Sequence, residues 1–64
     1  MKKRYLSYTA LDFARDADFL KWVKYPNEND VLTASWEAWL IENPSKRDDA
    51  EEARQLIFAI LEHN

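Results

Sequence analysis

The chain has 64 residues, nine basic and twelve acidic, with a formal net charge of −3, no cysteine and no glycine. At this length it forms one domain near the lower limit for independent folding, so nearly every large apolar side chain must join a single core. The missing cysteines exclude a disulfide scaffold and a thiolate zinc site, and the missing glycines argue against tight hairpins and phosphate-cradling loops. Hydrophobic residues make up 47% of the chain, with three Trp, three Tyr and three Phe. No apolar run reaches the length of a membrane span or a signal segment. The composition points to an all-α fold, a small bundle of about four helices.

In chain order, the sequence opens with a basic tail at 1–4, holding Lys2, Lys3 and Arg4, expected to be mobile and solvated. From Tyr5 onward six basic residues face twelve acidic ones, so the body is acidic and suits a basic protein partner better than a phosphate backbone. Thr9 with Asp12 three residues later is a capping-box pattern opening a helix over 10–15. Asp16 starts a second helix over 16–24, whose apolar residues are Phe19, Leu20, Trp22 and Val23; Pro26 disfavours helix at Tyr25. Asn27 or Asn29 then caps a third helix over 29–42. Its residues Leu32, Trp36, Trp39 and Leu40 form one helical stripe. Asn43-Pro44 ends it. Ser45 is expected to cap a fourth helix over 46–62, with Asp48 at the capping-box position and Asp49, Glu51 and Glu52 matching the positive helix end. Its stripe is Ala50, Ala53, Ile57, Ile60 and Leu61, with Leu56 widening one edge. The expected core comprises Phe19, Trp22, Val23, Leu32, Trp36, Trp39, Leu40, Ala53, Ile57 and Ile60.

Little in this pattern supplies catalysis, a metal or a cofactor. Asp16 and Asp18 are two apart, so on a helix they face different directions. The acids at 48, 49, 51 and 52 read as a solvated, dipole-matched first turn. Ser7, Thr9, Ser35 and Ser45 have no implied base, and the single histidine, His63, sits at the chain end. The three tryptophans read as core rather than as a ligand cage, because a small domain without disulfides needs large side chains inside.

The third helix carries a second apolar stripe. Val31, Ala34, Ala38 and Ile41 recur at steps of three, four and three, almost opposite the first stripe. Two apolar faces imply burial on both sides, either inside the bundle or beneath a partner helix lying in a groove of small residues. Phe58, off the main stripe of the fourth helix, is a natural anchor for such a partner. The candidate partner-binding residues are therefore Val31, Ala34, Ala38, Ile41 and Phe58.

Taken together, Asp18-Phe19-Leu20-Lys21-Trp22-Val23, Pro26, Trp36-Glu37-Ala38-Trp39-Leu40, Asn43-Pro44-Ser45-Lys46-Arg47 and Ala53-Arg54-Gln55-Leu56 form a recognisable series. In order and spacing they resemble the N-terminal region of FecR-type anti-sigma factors, especially those of Bacteroidetes. The resemblance spans roughly 12–62. It implies a cytoplasmic helical domain that binds a sigma factor of the extracytoplasmic-function class and controls its access to RNA polymerase by sequestration. In that family a transmembrane helix and a periplasmic sensor domain follow. The family's sigma-contacting residues form no compact motif, so no individual contact carries over. Its Phe19, Trp22, Val23, Trp36, Trp39 and Leu40 signature looks like structural core. Having no cysteine and one histidine sets the chain apart from zinc-containing anti-sigma domains.

Two other readings belong to different classes. A helix-turn-helix DNA binder would use the Asn43-Pro44 turn and the basic tail, but the helix after Ser45 begins Lys46-Arg47-Asp48-Asp49-Ala50-Glu51-Glu52, with four acids where phosphate and base contacts are needed. A homo-oligomeric module would turn the second stripe on itself. The expectation is a monomer or weak dimer that touches neither nucleic acid nor membrane.

Overall fold

The computed structural model describes residues 3–28 and 30–62. Four α-helices, α1 (Ala10–Arg15), α2 (Ala17–Lys24), α3 (Asp30–Glu42) and α4 (Arg47–Glu62), form a small all-α bundle, with 3₁₀ turns at Lys3–Ser7 and Pro44–Lys46. No strand occurs among the described residues. α4 packs most extensively on α1 and also meets α2, while α3 packs on α2 and on the second 3₁₀ turn.

Local chemistry sets the helix boundaries. At the start of α1 the Thr9 hydroxyl accepts from the Asp12 backbone N–H, and the Asp12 carboxylate accepts from the Thr9 backbone N–H at 2.9 Å, the expected capping box. Asp16 separates α1 from α2. Its carboxylate caps α2 by accepting the backbone N–H groups of Asp18 and Phe19 at 2.9 and 3.1 Å. The chain then turns over 26–28, a stretch that includes Asn27; Asn29, the other candidate cap, lies outside the described residues. Ser45 was expected to cap α4. It lies instead inside the Pro44–Lys46 turn, which runs directly into α4 at Arg47, because Pro44 at the first position starts helical winding earlier.

The core is aromatic and centres on Trp36, which is fully buried. Its ring is approached by Tyr5 at 4.9 Å, Phe19 at 5.2 Å, Trp22 at 5.9 Å, and Phe13 and Trp39 at 6.1 Å between centroids. Val23, Ala50, Ala53 and Ile57 complete the cluster, and Leu32 and Leu40 pack against it half-buried.

Three expectations are corrected. The tail expected at 1–4 does not extend through Lys3 and Arg4, which belong to the first 3₁₀ turn; Met1 and Lys2 lie outside the described residues. The reason is Tyr5, only 2% exposed, whose ring drives the turn into the aromatic cluster. Phe13, assigned to no stripe, is fully buried. Ile60, expected in the core, is 61% exposed. The stripe of α4 is covered through Ile57, but the next turn borders only Ala14, Leu20 and Lys24 along an open groove.

Candidate interaction surface

The residues that bury one side of α3 also decide what its other side does. Trp36 and Trp39 point into the cluster with Leu32 and Leu40 beside them. A helix turns about 100° per residue, so Val31, Ala34, Ala38 and Ile41 must face away from the bundle. They do: Val31 is 77% and Ile41 74% exposed, and Ala34 and Ala38 are exposed between them. Of the two readings of the second stripe, burial inside the bundle is therefore overturned. The core is already closed by the six rings around and including Trp36, so α3 lies at the edge of the bundle, not in its middle. The stripe is a continuous apolar strip with two large ends and a low centre.

Its borders are acidic. α3 contains Asp30, Glu37 and Glu42 and no Lys or Arg. Glu37 shares a shallow depression with Leu40, Ile41 and Arg47, and Glu42 shares another with Ser35, Ala38 and Trp39. Neither depression includes Phe58.

Phe58 is half-exposed, at 43%, but stands on the last turns of α4 with Leu56, Ile60 and Leu61, all exposed. This second apolar surface was not foreseen. Leu56 to Leu61 is an unbroken apolar run of which Ile57 alone is buried. Ile57, Ile60 and Leu61 form a groove of about 200 Å³ with Ala14, Leu20 and Lys24. The usable signal was the run itself, since a helix turn that is apolar all round exceeds what one neighbour can cover.

A polar network ties the N-terminal turn to the bundle. The Tyr8 hydroxyl donates to Asp16 Oδ2 at 2.9 Å, and an Arg4 guanidinium nitrogen lies 3.8 Å from the same oxygen. From α4's side, Lys46 Nζ donates to the Tyr8 carbonyl at 3.0 Å. Burial raises the pKa values of Tyr5 and Tyr8, and for Tyr8 the hydrogen bond to Asp16 adds to it. The Thr9 backbone N–H holds the Asp12 carboxyl below its usual range.

Arg4, Tyr8, Asp12 and Asp16 line one open depression together with Arg15 and Ala17. Among the described residues no group of three or more His, Cys, Asp or Glu side chains is placed to hold a metal ion. His63 lies outside the described residues. No helix among the described residues is long and apolar enough to cross a membrane. Compared with known proteins, the chain matches no protein-family model, no curated protein and no solved structure.

Proposed function

We propose that this chain is a sigma-factor-binding domain of the FecR anti-sigma type, acting in the cytoplasm on an extracytoplasmic-function sigma factor. In this reading it binds and does not catalyse. The observation that supports it is the outer face of α3, an exposed apolar strip bordered by acids on a helix whose inner face closes an aromatic core. Sigma factors engage DNA and polymerase through basic and apolar surfaces. A rigid acidic domain that covers such a surface would sequester the factor sterically, with apolar burial setting affinity and charge setting the association rate.

The test is co-purification of the chain with each extracytoplasmic-function sigma factor of its source. A stoichiometric complex with one of them, and reduced polymerase binding by that factor, is the expected result. Failure with every factor would overturn the reading. Retention of the free domain on duplex DNA at low salt would replace it with the helix-turn-helix alternative.

A further inference from the structure

The outer strip of α3 is nearly symmetric about its middle, which makes self-pairing the first occupant to consider. In an antiparallel pair of α3 helices, Val31 would meet the second copy's Ile41, and Ala34 the second copy's Ala38. That same register sets the edge carrying Asp30 and Glu37 against the same acidic edge of the second copy, with no basic residue in either helix to separate the charges. Shifting the register to relieve the acids takes the apolar ends off one another. Like charges placed opposite each other work against association, so the charge pattern opposes the pairing that the apolar pattern invites.

The same pattern favours a different occupant. Seven residues apart, Asp30 and Glu37 run along one edge of the strip beside Ala34 and Ile41. Glu42, four residues after Ala38, stands on the other edge. Arg47 adjoins the strip at the Ile41 end. Ala34 and Ala38 leave a low centre where a second helix axis can approach closely, while Val31 and Ile41 stand up at the ends as stops along the axis. We infer that this face takes a basic amphipathic α-helix of a partner protein. Its large aliphatic side chains seat over Ala34 and Ala38, and its Lys or Arg side chains reach outward to Asp30 and Glu37 on one side and Glu42 on the other. This rests on the reading of α3's outer face as the domain's docking surface and adds what docks there. The groove beside Ile60 and Leu61 has Lys24 on its border and lacks the acidic edges, so it does not select the same helix.

The experiment uses the whole chain, isotope-labelled, and three synthetic peptides of about five helical turns. The first has a leucine stripe flanked by lysines, the second the same stripe flanked by glutamates, and the third the composition of the first scrambled to destroy the stripe. The lysine-flanked peptide should shift the amide resonances of Val31, Ala34, Ala38 and Ile41 and bind at least about tenfold more tightly than the other two. Its affinity should fall with added salt, and fall again in the Glu37→Gln/Glu42→Gln variant, which keeps the parent's melting temperature. Equal binding of the scrambled peptide, shifts centred on Ile60 and Leu61, sedimentation of the free chain as an α3-paired dimer, or no binding by any peptide would each overturn the inference. Sigma capture is scored separately. A sigma complex lost on Ala38→Arg, without peptide binding, keeps the functional reading and discards the helical occupant; peptide binding without any sigma complex does the reverse.

Discussion

Trp22 and Trp36 stack with their ring planes 6° apart and their centroids at 5.9 Å, joining α2 to α3 through their faces. Phe19 from α2 meets the same Trp36 ring in a T-shaped contact at 5.2 Å, so two residues of one helix grip one residue of the other. The grip fixes the rotation of α3 about its own axis. That rotation is what turns Val31, Ala34, Ala38 and Ile41 outward, and the exposed apolar strip is thus a consequence of core packing on the opposite side.

Trp36 should therefore be the costliest single truncation. Trp36→Ala should lose about 3–5 kcal/mol, a large share of what so small a domain holds, and chemical denaturation should show a greatly lowered midpoint or no cooperative transition. Trp36→Phe should lose less. Trp36 Nε1 is buried without a hydrogen-bond acceptor, a state that costs about 1–3 kcal/mol, and phenylalanine removes that donor while keeping a ring in place. Ile60→Ala, at an exposed position, should stay within about 1 kcal/mol of the parent. An Ile60→Ala variant as unstable as Trp36→Ala would return that residue to the core.

Asp16 links α1, α2 and the N-terminal turn. Asp16→Ala removes the cap of α2, at about 0.5–2 kcal/mol, and strands the Tyr8 hydroxyl as well. Asp16→Asn retains a side-chain oxygen for the cap and should recover most of the loss. Equal destabilisation by the two substitutions, read from urea midpoints, would mean that the charge toward Arg4 matters more than the cap.

The pH dependence of stability follows from two kinds of group. Tyr5 and Tyr8 have folded-state pKa values raised chiefly by burial, so the fold favours their neutral forms. Their contribution is complete below the unfolded value near pH 10 and is lost as pH rises through the folded values. Asp12 behaves in the opposite sense. Its pKa is lowered, first by the Thr9 backbone hydrogen bond, so its contribution is present above the unfolded value of about 3.9 and is lost as pH falls through the folded one. Melting curves should show an alkaline loss that Tyr5→Phe reduces and an acid loss that Asp12→Asn reduces. Unchanged slopes in both variants would remove these groups from the account.

Where the sequence was legible, the cause was short-range. Thr9 with Asp12, and Asp16 before Asp18 and Phe19, are caps whose chemistry is complete within four residues, and both helix starts fall where they point. The aromatic stripe of α3 was equally plain, because thirteen residues hold enough turns to display a period. Phe13 was missed for the converse reason: α1 has six residues, too few to show one. Tyr5 sits next to Arg4 in a stretch with no period at all, and only tertiary packing tells that its ring turns inward. Ile60 shows the limit of periodicity itself. The stripe of α4 continues past Ile57, but the helices available to cover it do not. For the second stripe of α3 the pattern identified the residues correctly and left the face undecided, since spacing along a helix carries no information about which side the neighbours occupy.

Ala38→Arg separates an effect on binding from an effect on folding. Ala38 is exposed at the low centre of the strip, and substitution of a surface residue away from caps and core shifts stability by about 0.5 kcal/mol or less. In a domain of this size that corresponds to a melting-temperature change within about 4 °C. The same arginine fills the space a partner helix needs and brings a charge that would have to be desolvated beneath it, so binding to a sigma factor should be abolished. Unfolding of the variant would put Ala38 inside the bundle and contradict the exposure of the strip. A folded variant that still captures its sigma factor would move the interface to the other apolar surface, where Phe58→Asp and Leu61→Asp become the informative substitutions. Loss of capture in a folded Ala38→Arg domain, with capture retained in Leu61→Asp, assigns the contact to α3.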